Sequence, residues 1–175
     1  MRNEEFEFSL RFRLPADCPD YDVLVERLYE AGCNDATIGI GLPGYIGLDF
    51  IREASSAEEA VVSAISDVLN AIPRARLVEA APDFVGLTDV AEMVGVTRQN
   101  MRKLMVNHPE KFPAPVHGGS ASIWHLASVL QFLQERDYDV RYELYEVARA
   151  AMKVNIAKEH ASLGKEAEKL RQLFA

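Results

Sequence analysis

The sequence contains little cysteine and no long apolar segment. Cys18 and Cys33 are the only cysteines among the 175 residues, and they do not form a C-x-x-C pair. Two thiols are too few for a disulfide scaffold, so we interpret them as reduced cysteines. No apolar run approaches the ~18 residues of a membrane-spanning helix, and the acidic start of the chain lacks the apolar core of a signal peptide. These absences predict a cytoplasmic protein with no membrane partner.

Motifs of enzymes and of metal sites are also missing. The sequence has no G-x-S-x-G, no P-loop and no H-E-x-x-H. Its four histidines are widely spaced, and Asp17, Asp20 and Asp22 lack the glycine and the final glutamate of an EF-hand. We therefore expect no catalytic residue, no cofactor and no bound metal, and we interpret the acidic side chains as a solvated face.

Negative charge dominates the chain, but only in its first half. The net charge is -8, and residues 1–82 account for all of it with 7 Lys/Arg against 15 Asp/Glu. Residues 83–134 carry 4 of each sign and residues 135–175 carry 8 of each. A nucleic-acid-binding function would therefore have to rest on locally placed cations and on dimerisation, because each chain can neutralise few phosphates.

Residues 1–82 show the hydrophobic patterns of a small α+β domain. Apolar and polar residues alternate from Phe6 to Leu14, which predicts a half-buried strand, and Pro15 ends it. Helical spacing from Tyr21 to Ala31, with Gly32 as a stop, predicts a helix. The remaining predicted elements are strands over 36–40, 45–51 and 76–80, and a helix capped by Ser55 or Ser56 whose buried face is Val61, Val62, Ile65, Val68 and Leu69. The order strand, helix, strand, strand, helix, strand is that of a ferredoxin-like fold.

A short linker, Ala81-Pro82-Asp83, precedes a pair of predicted helices. Thr88 is predicted to cap the first helix, whose inward face is Val90, Ala91 and Val94. Gly95 supplies the left-handed residue of the turn, and Val96 fills the corner. Thr97 is predicted to cap the second helix, which buries Met101 and Leu104.

The exposed positions of the second helix carry side chains suited to DNA. They are Arg98, Gln99, Asn100, Arg102 and Lys103. Arginine pairs with guanine O6 and N7, and glutamine or asparagine pairs with adenine N6 and N7, both in bidentate geometry. Thr97 and the free N–H groups of the first turn suit a phosphate oxygen, and Lys103 suits another through its charge.

This stretch resembles the helix-turn-helix of the mercury-resistance-regulator and phage-excisionase superfamily. The small residue Ala91, Gly95 four positions later and the flanking apolar residues match, and so do the segments Phe112-Pro113-Ala114-Pro115 and Ile123-Trp124-His125. The resemblance implies a winged helix-turn-helix over residues 83–134 with a helix at 126–134. It also implies a DNA-contacting wing at His117, Gly118, Gly119 and Ser120. The wing departs from the family pattern because it offers histidine where arginine or lysine is usual.

Residues 135–175 are predicted to be helical. Val140, Leu144, Val147, Ala151 and Val154 repeat at heptad spacing, and Ala167, Leu170 and Phe174 continue it after a break near Gly164. Such a seam is typical of a dimerising helix. The alternative is a tail that packs against its own N-terminal domain.

The sequence thus predicts a dimeric, sequence-specific double-stranded DNA-binding protein, a transcriptional regulator of bacterial or phage type. Two alternatives stay open. One is an antitoxin-like component whose acidic residues 1–82 bind a partner protein, and the other is an excisionase-like architectural DNA-binding protein.

Overall fold

The computed structural model describes residues 3–174, and it is a mixed α+β structure. Its strands are β1 (Glu4–Arg13), β2 (Ala36–Gly39), β3 (Tyr45–Ala54), β4 (Arg76–Ala81), β5 (Phe84–Val85) and β6 (Trp124–His125). Its helices are α1 (Tyr21–Glu30), α2 (Ala57–Ala71), α3 (Leu87–Met93), α4 (Arg98–Asn107), α5 (Leu126–Gln134), α6 (Tyr142–Ser162) and α7 (Glu166–Arg171).

The first four strands form one antiparallel sheet in the order β2-β3-β1-β4. The alternation in β1 buries Phe6, Phe8, Leu10 and Phe12 on one face, where residues of α1 and α2 complete a hydrophobic core. Glu5, Glu7, Arg11 and Arg13 occupy the opposite, exposed face of β1. The succession of strands and helices predicted for residues 1–82 is therefore present.

The buried face of α2 differs from the predicted one. Val61 and Val68 are buried as expected, but Val62 and Leu69 are exposed. Four alanines complete the buried stripe, namely Ala57, Ala60, Ala64 and Ala71. The prediction favoured large apolar side chains, whereas the close contact of α2 with β1 and α6 requires small ones. Ser56 is the N-cap, and its hydroxyl accepts a hydrogen bond from the N–H of Glu59 at 3.2 Å.

Two of the acidic residues expected on a solvated face instead hold a buried arginine. Arg52 on β3 donates to both carboxylate oxygens of Asp35, at 2.7 and 3.0 Å, and to Asp67 on α2 at 2.8 Å. Burial opposes the charge of Arg52, but the hydrogen bonds that its guanidinium donates to these two aspartates raise its pKa. The hydrogen bonds of Arg52 thus connect the loop before β2, at Asp35, to α2, at Asp67. Nearby, burial raises the pKa of Cys33 to about 11, so its thiol stays protonated at neutral pH.

A second hydrophobic core lies in residues 85–152. It is built on Val90 and Ala91 of α3, Met101 of α4, Trp124 of β6 and most of α5. Phe112 lies against Trp124 and Phe132 in edge-to-face geometry, with ring centroids 6.1 and 4.9 Å away. The indole N–H of Trp124 donates to the carbonyl of Pro113 at 3.0 Å.

Helix α6 packs against both cores. Val147, Ala150 and Ala151 belong to the first core, and Ala148 belongs to the second. Val140 and Leu144, which begin the predicted heptad seam, pack against the second core, and Val154 packs against the first. This part of the apolar seam is therefore used within the chain. Its later residues pack on the N-terminal core, as the alternative interpretation expected, whereas Val140 and Leu144 pack on the second core. Among residues 3–174 no helix combines the length and apolar character needed to cross a bilayer.

The segment predicted as a linker is instead part of a buried polar network. Asp83 is buried, and its carboxylate lies 2.7 Å from Nδ1 of His125 and accepts a hydrogen bond from the side-chain amide of Asn155 at 2.8 Å. Asn155, on α6, also donates to the carbonyl of Ala80 and accepts from its N–H. These bonds satisfy the outer edge of β4, so the two cores are joined by buried contacts rather than by a free linker.

Replacing Asn155 with alanine should lower the free energy of unfolding by about 2–4 kcal/mol. The substitution removes the partners of the Ala80 backbone and leaves the buried Asp83 carboxylate with one fewer donor. Urea unfolding followed by circular dichroism measures the loss. Ile156→Ala, at the next and exposed position of α6, is the matched control and should change stability by less than about 0.5 kcal/mol. Equal stability of the two variants would contradict a structural role for the network.

Candidate nucleic-acid interface

The helix pair α3–α4 begins differently from the prediction. Thr88 was expected to cap α3, but the N-cap is Gly86, whose N–H donates to the carboxylate of Asp89 at 2.7 Å. Thr88 is exposed within the first turn. The helix starts earlier because β5 ends at Val85 and the Asp89 side chain can satisfy the N–H of Gly86. Residue type alone favours Thr88 as the N-cap, whereas the pairing of β5 with β6 fixes the chain just before Gly86.

The turn between the helices has the expected geometry. Gly95 has a φ of 70°, in the region that glycine enters without a Cβ penalty. The N–H of Val96 then donates to the carbonyl of Ala91 at 2.9 Å, and its half-buried side chain packs against the second core. Thr97 is the N-cap of α4, and its hydroxyl accepts from the N–H of Asn100 at 3.1 Å. Buried Ala91 allows the two helices to approach closely.

Helix α4 has one face in the core and one in solvent. Met101 is fully buried and Leu104 is half-buried, as predicted. Arg98, Gln99, Arg102 and Lys103 are exposed. Asn100 differs from the prediction because it is half-buried, with its amide nitrogen 3.4 Å from the hydroxyl of Tyr138. The segment that follows α5 brings Tyr138 to this position, and the sequence of α4 alone carries no sign of it.

The exposed face of α4 is locally cationic although the chain is acidic. The helix contains no Asp or Glu. Arg98, Arg102 and Lys103 form no ion pair with the residues that the structure describes, unlike Arg52, Arg74 and several basic residues of α6. Sequence reasoning missed Lys111, which is exposed six residues before the predicted wing begins at His117 and is likewise unpaired within residues 3–174. All four basic side chains of residues 83–134 thus remain available to an external anion.

The predicted wing is a short exposed loop closed by one β-bridge. Val116 donates to the carbonyl of Ile123 at 2.8 Å, and Ile123 donates to the carbonyl of His117 at 3.0 Å. Residues 117–120 are exposed, so His117, Gly118, Gly119 and Ser120 all face solvent. The His117 ring lies so close to Gly119 that a Cβ there would meet its Nε2 at 2.9 Å. The loop offers backbone groups and one imidazole, and no permanent cation.

Comparison of the chain with protein-family models, with curated proteins and with solved structures gave no significant match.

Replacing Gly95 with alanine should destabilise the protein by about 1–2 kcal/mol, because a Cβ is disfavoured at a positive φ. The melting temperature should fall, and hydrogen exchange at the Val96 N–H should become faster than elsewhere in the second core. Gly118→Ala is the matched control, since Gly118 lacks a positive φ and a Cβ there meets nothing within 4 Å. If Gly95→Ala were as stable as Gly118→Ala, the turn would not need its left-handed residue.

Proposed function

We propose that this chain binds double-stranded DNA in a sequence-specific manner and acts as a transcriptional regulator of bacterial or phage type. One observation carries the proposal. The second helix of a tightly turned helix pair presents Arg98, Gln99, Arg102 and Lys103 to solvent, free of acidic partners within the described residues. A protein with a net charge of -8 that keeps such a face unpaired has a local surface complementary to DNA.

The side chains of this face divide by chemistry. Arg98 and Gln99, in the first turn of α4, suit base edges in the major groove. Arg102, Lys103 and Lys111 suit phosphates, and the exposed N-terminus of α4 at Thr97 suits another phosphate oxygen. Asn100 is the weakest member of the predicted set, because Tyr138 already engages its side chain. The wing, from His117 to Ser120, would contribute backbone contacts.

We further propose that the chain consists of a ferredoxin-like domain and a winged helix-turn-helix. The sheet order β2-β3-β1-β4 with α1 and α2 in the core of one face supports a ferredoxin-like domain over residues 1–82. The pairing of β5 with β6 and the bridged loop that precedes β6 support a winged helix-turn-helix over residues 83–134.

A homodimer would bring two α4 helices to successive major grooves and so raise affinity. The part of the heptad seam that lies up to Val154 is already buried within the chain, so a dimer formed by residues 135–175 must use residues beyond α6. Exposed apolar side chains supply one at the C-terminal end, namely Leu163, Leu170, Leu173 and Phe174. We propose that this stripe pairs with a second copy.

Arg98→Ala and Gln99→Ala should each weaken binding to a selected DNA site by about 1–3 kcal/mol and relax base preference at one position. Lys103→Ala should weaken binding to all sequences alike and make the salt dependence shallower. Random-site selection with the full chain, followed by anisotropy titrations at several salt concentrations, measures both effects. With three phosphate contacts from each of two subunits, the slope of log K against log salt should be about -5.

Arg27→Ala is the matched control for these substitutions, since it removes an exposed arginine from α1. Its affinity and salt slope should equal those of the unmodified chain. If no sequence is enriched, or if Arg27→Ala weakens binding as much as Arg98→Ala, the proposed interface is wrong. Strong DNA bending on the enriched site would instead favour the architectural, excisionase-like role.

Replacing Leu170 and Leu173 together with glutamate should convert the dimer into a monomer and weaken DNA binding about tenfold or more. Sedimentation velocity gives the oligomeric state, and anisotropy gives the affinity. Tyr29→Glu, at an equally exposed apolar position on α1, is the control and should leave both unchanged. A dimer that survives the double substitution would exclude the C-terminal stripe.

The partner-protein alternative keeps one observation in its favour. Glu4, Glu5 and Glu7 of β1 line a groove together with Met93 and Leu144, and this combination suits a basic amphipathic segment. Co-purification of a stable 1:1 complex, together with no enrichment in the site selection, would favour that function.

A further inference from the structure

A cleft of about 700 Å³ lies on the open face of the four-stranded sheet, beside the turn that joins β2 and β3. This volume falls within the range of small-molecule sites, which are concave and largely apolar with a few polar groups. Arg11 on β1 borders the cleft, whereas the groove beside Met93 contacts β1 at Glu4 to Ser9. The two depressions therefore lie toward opposite ends of the same strand.

Two glycines form the floor of the cleft. Gly39 on β2 and Gly47 on β3 are paired across the strands. A Cβ on Gly39 would meet nothing within 4 Å, and one on Gly47 would meet only the Gly39 carbonyl, at 3.8 Å. Neither glycine has a positive φ, so the backbone does not require them. Glycine inside a strand is less favourable than alanine, and it often marks a close approach of a ligand.

Apolar side chains form the walls. Ile40 and Leu42 lie in the β2–β3 turn and remain 49% and 71% exposed, although they border a concave surface. Tyr45 and Val78 line it from β3 and β4. An apolar body placed on the glycine floor would cover these side chains, which otherwise contact water.

One cation borders the cleft. The side chain of Arg11 is 64% exposed, and its nearest acidic group is Glu79, whose carboxylate is 4.0 Å from the guanidinium. No Asp or Glu lines the cleft itself among the described residues. A guanidinium bordering an apolar surface is complementary to a carboxylate carried on an apolar group.

We infer that this cleft binds a small planar anion, an aromatic carboxylate whose ring lies on Gly39 and Gly47 and whose carboxylate pairs with Arg11. Because Gly39 and Gly47 have no side chains, the floor is flat and leaves space for a planar ring. Side chains at these two positions would fill that space. The site is independent of the α4 surface, so its occupancy can be tested without DNA.

The test uses the full chain and 2-naphthoate as the probe. The amide signals of Gly39, Gly41 and Gly47 should shift in a saturable manner during a titration followed by ¹⁵N NMR. Neutral 2-naphthalenemethanol should bind about tenfold more weakly, because it lacks the charge that Arg11 recognises. Arg11→Leu should remove this preference by weakening naphthoate binding about tenfold and leaving the neutral compound unchanged.

Gly39→Val should abolish binding of both compounds, and Gly47→Ala is a second variant that fills the same floor. Thr37→Val is the matched control, since Thr37 is exposed two residues earlier on β2 and does not line the cleft. Thermal melts should show all variants folded, with Gly39→Val at least as stable as the unmodified chain.

The assignment would be overturned by the absence of shifts at the three glycines up to the solubility limit of naphthoate, by equal affinity for the neutral compound, or by binding that survives Gly39→Val and Gly47→Ala. Shifts of the glycine signals with protein concentration alone would mean that a second copy occupies the cleft, which also contradicts the assignment.

Discussion

The arrangement of the two cores depends on satisfying one buried carboxylate. The side chain of Asp83 has no exposed surface, and its charge must be stabilised by donors within the protein. His125 and Asn155 contact it at 2.7 and 2.8 Å, and its own carbonyl accepts the N–H of Leu126 at 2.7 Å. Because Asn155 also binds the backbone of Ala80, this network joins β4, the start of α5 and α6.

Helix α6 connects this local network to both hydrophobic cores. Its apolar side chains enter both hydrophobic cores, and Asn155 and Lys158 bind backbone groups on the outer edge of β4. An exposed strand edge invites pairing with other chains, and here a helix covers it. The helix pair α3–α4 therefore shares a hydrophobic core with α6, which also packs against the sheet.

The distribution of charged side chains differs between residues 1–82 and residues 83–134. The acidic excess lies in residues 1–82, where Asp35 and Asp67 neutralise the buried Arg52 and many other carboxylates face water. In residues 83–134 the four basic side chains are exposed and unpaired with the described residues. Net charge alone argues against an anionic partner, whereas the local distribution favours one, because fields at a surface fall off within about 8–10 Å at physiological salt. The proposed interface thus depends on placement rather than on total charge.

Periodicity and residue type were enough to predict the strands β1 to β4 to within three residues at each end. They also predicted the ends of α1, the Gly95 turn and the Thr97 cap, since each depends on a pattern that lies within a few residues. They also predicted which side chains of α4 face solvent, apart from Asn100. Tertiary contacts decided the rest. Alanines of α2, rather than Val62 and Leu69, face the core because α6 packs closely on α2. Gly86, rather than Thr88, is the N-cap of α3 because β5 pairs with β6. The heptad pattern of α6 predicted an apolar seam but not its partner, since a seam buries itself equally well in a dimer or in its own chain. Asp83 looked like part of a linker because its partners, His125 and Asn155, lie 42 and 72 residues away.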